Sequence, residues 1–279
     1  MQEVNCYSCG SDKNIFYASE NGFNLVKCRE CGLLFVNPRP TDEEIEQAHT
    51  LGVHRGKEML EVTGSFSHVK VSSYMEILED IYGSGLSLGG KTWLDIGCGH
   101  GEFLVALDRF SKGLVAARGI EPNIRKQKSA QRRGVDVGFF DLDKHADRYD
   151  VISFLNVYSH LPDPPTSILS WKRLLKPGGE LLMETGDTAH FDSKDHYRPF
   201  YLPYHLSFAS ETIVGHILER TGFEILTIKK YPFFRVSALF LAKEIAKVLW
   251  PNKVSRLGYI MKHKLYSNTD MYVRARLKS

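Results

Sequence analysis

A glycine-rich loop between an apolar stretch and an amphipathic one is the feature that most constrains how this chain can fold. Residues 91–96 predict a buried strand, and Gly97, Gly99 and Gly101 follow it at every second position. A helix is predicted from Glu102 onward. Glycines in such a loop allow a tight turn and let the backbone approach a ligand closely. In a doubly wound sheet, the first loop of this kind lies at the carboxyl ends of the strands, where ligands bind.

From residue 91 onward, strand-like and helix-like segments alternate. Apolar or alternating patterns predict strands at 91–96, 115–120, 135–139, 151–155, 180–184, 223–230 and 271–277. Amphipathic patterns predict helices at 102–109, 123–133, 166–175 and 211–221. Alternation of this kind predicts a parallel sheet with helices on both faces. The expected fold class is therefore α/β, with a doubly wound Rossmann-like sheet.

The spacing of the glycines separates two classes of nucleotide-binding loop. Dehydrogenases that bind dinucleotides carry G-x-G-x-x-G, which would place the third glycine at position 102. This chain has G-x-G-x-G, with Glu102 at that position. Asp95, just before the loop, can accept hydrogen bonds from a cationic amino-acid group. The loop therefore departs from the dehydrogenase pattern.

Side chains that suit an adenosine follow the next predicted strands in order. Glu121 ends the second strand, where an acidic residue can accept hydrogen bonds from both hydroxyls of a ribose. Asp141 and Leu142 follow the third strand and suit an adenine amino group and ring edge. Asn156 ends the fourth strand, and residues 174–179 form a helix-to-turn sequence before the fifth.

Taken together, residues 88–183 closely resemble class I S-adenosylmethionine-dependent methyltransferases, and the C-terminal strands resemble them more loosely. The resemblance implies a methyltransferase that takes S-adenosylmethionine as its cofactor. It also implies how the cofactor is held, with Asp95, Gly97, Gly99 and Gly101 at the methionine end, Glu121 at the ribose, and Asp141 and Leu142 at the adenine. Asn156 is expected beside the cofactor, and Cys98 is interpreted as a packing residue.

Four of the five cysteines form two Cys-x-x-Cys pairs near the N-terminus, made by Cys6, Cys9, Cys28 and Cys31. The 18 residues between the pairs fall within the spacing of four-cysteine zinc sites. Gly10 and Gly32 follow the pairs and favour the tight knuckle that a tetrahedral metal needs. Four thiolates leave no open coordination position, so the predicted zinc is structural. A redox role is the alternative, but neither pair opens a helix in a thioredoxin-like unit.

The chain is predicted to have three parts. Residues 1–40 form a zinc ribbon, 41–87 a helical connecting and substrate-capping segment, and 88–279 the methyltransferase domain. A basic amphipathic insertion at 235–268 precedes the last strand, and a lid or subunit contact is favoured there over a membrane surface. The cysteine motif is similar to zinc ribbons fused to small-molecule methyltransferases, including deoxysugar C-methyltransferases. That likeness implies that the ribbon and the following helix help to close the acceptor pocket.

Methyl transfer from a sulfonium is a direct displacement that needs alignment and usually a base. Residues 196–208 are rich in His and Tyr, and in the sugar methyltransferases a Tyr and His pair of this region serves acid–base chemistry. The likeness implies His205 as the base, with Tyr204 beside it, although His205 could instead orient the loop. His160 is a second candidate for the base. The alternative role for His160 is a contact near the methionine of the cofactor. Ser159 precedes it, where many relatives have Glu.

Composition limits the partners. The chain has 36 basic and 33 acidic residues, a formal net charge of +3, and no cluster of Lys and Arg in residues 1–40. Nucleic acid is therefore not an expected partner. No apolar stretch reaches membrane-spanning length and the N-terminus lacks the pattern of a secretory signal, so a cytoplasmic location without membrane contact is expected. The sequence leaves the oligomeric state open.

Three hypotheses for function follow. The leading one is methyl transfer to a small molecule, such as a sugar or a nucleotide-linked sugar. The second is a methyltransferase for RNA or protein that uses the zinc ribbon as a docking element. The third is a non-catalytic zinc-binding interaction protein on a degenerate methyltransferase fold, which the intact glycine loop and Glu121 disfavour.

Overall fold

The computed structural model describes residues 1–55, 59–232, 242, 244–247 and 268–278. The helical insertion predicted at 235–268 therefore lies outside the described residues, apart from 242, 244–247 and 268. Within the described part of the chain, no helix is long and apolar enough to cross a membrane.

The N-terminal part is a small antiparallel sheet around the cysteines. It contains β1 (Asn14–Glu20), β2 (Phe23–Cys28) and β3 (Leu34–Val36). Strand β1 pairs with β2, and β2 pairs with β3. Three short antiparallel strands thus surround the cysteines.

The connecting segment contains α1 (Asp42–Leu51), β4 (Val53–Arg55), β5 (Met59–Glu61) and α2 (His68–Tyr82). Helix α1 begins with a capping box, because Thr41 Oγ1 accepts from the backbone N–H of Glu44 at 3.3 Å and Glu44 Oε2 accepts from the backbone N–H of Thr41 at 2.8 Å. The β4–β5 hairpin was not predicted, because strands of three residues leave no readable period.

The rest of the described chain forms the α/β unit. Its elements, in order, are β6 (Thr92–Ile96), α3 (Glu102–Ser111), β7 (Ala116–Ile120), α4 (Ile124–Gln131), β8 (Val137–Gly138), β9 (Tyr149–Leu155), α5 (Pro164–Lys172), β10 (Leu175–Gly186), β11 (Ser207–Phe208), α6 (Glu211–Arg220), β12 (Phe223–Tyr231) and β13 (Asp270–Leu277). The seven-stranded sheet has the order β12-β13-β10-β9-β6-β7-β8. Only β13, among these strands, runs antiparallel to its neighbours. The predicted α/β class and Rossmann-like sheet are confirmed.

Two predicted elements differ from the structure. The helix predicted at 166–175 ends at Lys172, because the chain turns there and Leu175 already pairs with Tyr149 as the start of β10. The strand predicted at 135–139 is reduced to β8. The alternating pattern failed there because Phe139, expected on a buried face, is 61% exposed.

Strand β11 departs from the sheet and joins the ribbon. It pairs antiparallel with β3, so the ribbon sheet has the order β1-β2-β3-β11. The apolar core is continuous across this junction, since buried ribbon residues such as Leu25 and Leu34 belong to the same cluster as Phe154 of β9 and Phe200. The ribbon is therefore packed onto the α/β unit and shares its core.

Candidate active site and cysteine cluster

The glycine loop has the backbone that its glycines allow. Gly97, Gly99 and Gly101 have φ of 73°, 57° and 86°, in the left-handed region. A Cβ on Gly97 would lie 2.5 Å from Cγ2 of Val157, whereas a Cβ on Gly99 would meet no atom within 4 Å. The loop is therefore closely packed at its first glycine and open beside its second, where a ligand can approach the backbone.

Asp95 lies under the loop, at the end of β6. Its side chain is buried, with the residue 2% exposed, and Oδ1 accepts a hydrogen bond from Ser153 Oγ at 2.5 Å. Burial and, to a lesser extent, the charge of Glu121 raise the pKa of this carboxyl to about 7, against the hydrogen bond from Ser153, which lowers it. Among the described residues, no cationic side chain is paired with it. A buried carboxylate of this kind suits a ligand that brings its own positive charge.

Glu121 is held beside the glycine loop by two backbone donors. Its Oε2 accepts from the N–H of Gly99 and its Oε1 from the N–H of Asn123, both at 2.9 Å. Each oxygen keeps a second lone pair, so both can still accept a hydroxyl hydrogen. The Asn123 side chain donates to the carbonyl of Thr50 at 3.2 Å and so ties the site to α1.

A cavity of about 200 Å³, the glycine-loop cavity, opens next to these residues. Three residues of the connecting segment line it: His49, Gly52 and Val62. The α/β unit contributes Ile96, Gly97, Glu121, Pro122, Lys126, Asn156, Val157, His160, Leu161, Trp171 and Tyr204. The glycine loop, the buried Asp95 and Glu121 thus lie at one edge of the sheet.

Asp141 and Leu142 lie apart from this cavity. Asp141 is exposed and pairs with Lys144 Nζ at 3.0 Å, and that hydrogen bond lowers the pKa of its carboxyl. Leu142 is half-buried and packs against the main core cluster. Neither residue lines the glycine-loop cavity, so their role at the adenine stays a prediction.

A second cavity of about 290 Å³, the β10 cavity, lies beyond the end of β10. It is lined by Asn156, Ser159, Glu184, Thr185, Gly186, Thr188, His196, Tyr197, Arg198, Pro199, Tyr201, His205, Ser207, Phe208, Thr269 and Asp270. Asn156 lines both cavities and has a φ of 55°, unusual for a residue other than glycine but tolerated by asparagine. The two cavities therefore meet at the end of β9.

His205 lies in the β10–β11 loop (residues 187–206) and faces the β10 cavity. Its Nδ1 lies 2.8 Å from the carbonyl oxygen of Phe200. A carbonyl only accepts, so Nδ1 carries the proton and Nε2 keeps a free lone pair. Burial lowers the pKa of this histidine to about 4.

Tyr204 and His160 line the glycine-loop cavity. The rings of His160 and Tyr204 lie 3.9 Å apart, and His160 Nδ1 donates to the carbonyl of Tyr204 at 2.7 Å. His160 Nε2 is buried without a partner among the described residues. The rings of Tyr204 and His205 are stacked, but the two residues line different cavities. His205 lines the β10 cavity and Tyr204 lines the glycine-loop cavity. Catalytic roles for His205, Tyr204 and His160 stay predictions.

Sequence reasoning missed four residues of the β10 cavity: Glu184, Thr188, His196 and Asp270. Glu184 stands near the carboxyl end of the fifth strand of the α/β unit, the edge at which bases are expected, and that position was a usable signal. Asp270 carried no such signal. It follows the insertion, and the sequence alone does not define where the last strand begins after that insertion.

The cysteine cluster has the arrangement that a zinc knuckle pair needs. The Sγ atoms of Cys6, Cys9, Cys28 and Cys31 all lie within 4.8 Å of one another. Gly10 donates to the carbonyl of Cys6 at 2.7 Å and Gly32 to that of Cys28 at 3.1 Å, and both glycines have positive φ, 77° and 79°. Four sulfurs at this separation fit a tetrahedral Zn²⁺ with Zn–S bonds of about 2.3 Å. The cluster is compatible with structural zinc.

Fold and site together define a class of protein, the Rossmann-like enzymes that bind an adenosine cofactor over a glycine loop. A family model described as a methyltransferase domain matches residues 74–228. The match covers more than half of the chain, and the chain belongs to this family. Its fold is the Rossmann-like fold of class I S-adenosylmethionine-dependent methyltransferases.

The curated relatives are similar over a shorter stretch. The ubiquinone biosynthesis O-methyltransferase of Salmonella enteritidis is 31% identical over 105 residues, which cover 35% of this chain and 43% of the relative. The enzyme of the same name from Erwinia tasmaniensis is 32% identical over 105 residues, which again cover 35% of this chain and 43% of the relative. The chain thus matches less than half the length of these relatives.

Solved structures share the fold at low identity. A putative sarcosine dimethylglycine methyltransferase from Galdieria sulphuraria superposes with a TM-score of 0.56 at 15% identity, over 77% of this chain and 92% of the other. Geranyl diphosphate C-methyltransferase from Streptomyces coelicolor gives a TM-score of 0.52 at 15% identity, over 74% and 78%. At such identities the likeness shows the fold.

Proposed function

We propose that this chain transfers the methyl group of S-adenosylmethionine to a hydroxyl of a small molecule, such as a sugar or a nucleotide-linked sugar, bound in the β10 cavity. The observation that carries the proposal is this cavity itself, which joins the glycine-loop cavity at Asn156 and holds about 290 Å³. Ligand pockets for small molecules begin at about this size. A cavity so placed offers an acceptor a position next to the transferred methyl.

The lining of the β10 cavity favours a ligand with several hydrogen-bond donors. His196 is 5% exposed, and its Nδ1 donates to the carbonyl of Tyr197 at 3.2 Å, so its Nε2 is a lone-pair acceptor. This Nε2 and the Oγ1 of Thr188, a residue 4% exposed, have no partner among the described residues. A buried polar atom without a partner costs about 1–3 kcal/mol, and hydroxyls of a bound polyol would supply the missing partners.

The names of the relatives support the same reaction class. The curated relatives are O-methyltransferases of ubiquinone biosynthesis, and one structural neighbour is a C-methyltransferase of geranyl diphosphate. Each name describes a small-molecule acceptor. We take from them the reaction class and derive the hydroxyl-rich acceptor from the cavity.

The ribbon's part in this function is to shape the β10–β11 loop. Glu20 of β1 accepts from the backbone N–H groups of Phe200 at 2.8 Å and Leu202 at 3.1 Å. Asn21 donates to the carbonyl of Leu202 at 2.7 Å. Because this loop carries His205, a zinc-stabilised ribbon would hold the acceptor side of the site in place.

The test is a labelling experiment with zinc-loaded protein, methyl-labelled S-adenosylmethionine and a cell extract, followed by separation of small molecules from RNA and protein. Label is expected in the small-molecule fraction. Thr188→Val is expected to reduce that label, whereas His216→Asn, on an exposed position of α6, should not. Label confined to RNA or protein would refute the proposal and support a docking role for the ribbon.

A further inference from the structure

Two carboxyl groups lie side by side in the β10 cavity. Glu184 stands near the carboxyl end of β10, and Asp270 begins β13. The antiparallel register pairs Glu184 with Tyr272 and Gly186 with Asp270, so Glu184 and Asp270 are diagonal neighbours on one face of the sheet. Their side chains are hydrogen-bonded to each other, and both residues line the cavity.

A hydrogen bond between two carboxyl groups requires a shared proton. Two buried carboxylates at contact cannot both ionise cheaply, so such a pair holds one proton and one negative charge. Burial raises the pKa of Glu184 well above its usual range, and the charge and hydrogen bond of Asp270 raise it further. Lys70 of α2 and the backbone N–H of Asn156 act in the opposite direction.

Two buried tyrosines also interact with the pair. Tyr74 of α2 and Tyr272 of β13 both interact with Glu184 and Asp270, and burial raises the pKa of each phenol. Tyr74 also interacts electrostatically with Asp95. The region is therefore negative, which suits a sulfonium donor nearby.

The histidines of the same cavity are weaker bases than the pair. Burial lowers the pKa of both His196 and His205 to about 4. A general base works best when its pKa lies near the working pH, and a group that releases its proton at about pH 4 removes little from a hydroxyl at pH 7.

We propose that the Glu184–Asp270 pair takes the proton of the acceptor hydroxyl during methyl transfer; the inference rests on the proposed function. The hydroxyl oxygen attacks the methyl carbon and forms an O–CH₃ bond. The methyl–sulfur bond breaks, and its electron pair stays on sulfur, which becomes the neutral thioether of S-adenosylhomocysteine. The proton that the pair already shares moves to Asp270 as the hydroxyl proton passes to Glu184, so the singly charged pair becomes neutral and later releases one proton to solvent.

Two further observations place a ligand at the pair. His196 and Thr188 line the same cavity, and their Nε2 and Oγ1 atoms have no hydrogen-bond partner among the described residues. Polar groups of a ligand would supply those partners. The hydrogen bond from the Asn156 backbone attaches Glu184 to the one residue that both cavities share. The pair thus lies where acceptor and methyl donor would meet.

The experiment compares Glu184→Gln, Asp270→Asn and His205→Asn with the matched control Glu224→Gln, an exposed glutamate of β12. Initial rates of label transfer to the small-molecule fraction are measured from pH 5 to 9, together with the affinity for S-adenosylhomocysteine by calorimetry. Glu184→Gln is expected to lower the rate at least 100-fold, the usual contribution of a general base, while its affinity for S-adenosylhomocysteine stays within twofold of wild type. His205→Asn is expected to lose much less, and Glu224→Gln nothing.

Asp270→Asn tests the pairing itself. Because the charge of Asp270 raises the pKa of Glu184, its removal should move the acidic limb of the pH–rate profile to lower pH. An unshifted profile, a Glu184→Gln rate within threefold of wild type, or a loss of S-adenosylhomocysteine binding in Glu184→Gln would each overturn the inference. Wild-type protein that labels no small molecule would refute the proposed function instead, and the inference with it.

Discussion

Replacing Asp95 with Asn should stabilise the free protein while weakening the cofactor site. The carboxyl of Asp95 is buried, and its pKa is raised from 3.8 to about 7. Asn keeps an oxygen that can accept from Ser153 Oγ, so the change removes the charge and leaves that hydrogen bond in place. The perturbation therefore isolates the buried negative charge.

The size and sign follow from the pKa. The folded protein keeps this proton at pH values where the unfolded chain has lost it, so stability falls as pH rises from about 4 to 7 and is level above. One pKa unit corresponds to about 1.4 kcal/mol, so a difference of about three units costs the folded wild type about 4 kcal/mol at pH 8. At 2–4 °C per kcal/mol, Asp95→Asn should raise the melting temperature by about 10 °C at pH 8 and by less at pH 5.

Saturating S-adenosylhomocysteine should reverse this advantage. The amino group of the ligand favours the charged carboxylate, so the melting temperature of wild type should rise more on binding than that of Asp95→Asn. The assay is thermal unfolding followed by circular dichroism at pH 5 and 8, with and without ligand, and Asp108→Asn on the exposed side of α3 is the control. An Asp95→Asn variant that is less stable at pH 8, or equally stabilised by ligand, would refute the reasoning.

Three further predictions concern the loop and the ribbon. Cys28→Ser should abolish the binding of one zinc per chain, measured by metal analysis, and lower the melting temperature; unchanged zinc content would contradict the assignment. Gly97→Ala should weaken S-adenosylhomocysteine binding at least tenfold in calorimetry, because its Cβ would lie 2.5 Å from Val157; an unchanged affinity would contradict that close packing. Glu20→Ala leaves two loop N–H groups without their acceptor, at about 1–3 kcal/mol each, and should speed proteolysis within residues 187–206; unchanged cleavage would show that the ribbon does not hold that loop.

The α/β unit could be predicted from the sequence because its strands are apolar and because glycine-rich turns separate them clearly from the helices. The strand–glycine–helix sequence at 91–102 located β6 and α3, and Cys-x-x-Cys-Gly located both knuckles. These features depend on neighbouring residues alone. The glycine conformations at Gly97, Gly99 and Gly101 are all left-handed, as their spacing required.

What the sequence could not predict depends on pairing across long separations. Strand β11 is two residues long and pairs with β3, which lies about 170 positions earlier in the chain. Two residues are too few to show the alternating pattern of a strand. The proximity of Glu184 and Asp270 follows from the register of β10 on β13, which only the folded sheet defines. The adjacent residues Tyr204 and His205 line different cavities, and no local pattern distinguishes the two orientations.

A crystal structure of the zinc-loaded chain with S-adenosylhomocysteine tests the central claim most directly. The account predicts the amino-acid end of the ligand over Gly97 and Gly99, the ribose hydroxyls on Glu121, and the sulfur beside Asn156 facing the β10 cavity. Density for the ligand elsewhere, or a sulfur that points away from the cavity of Glu184 and His205, would contradict it.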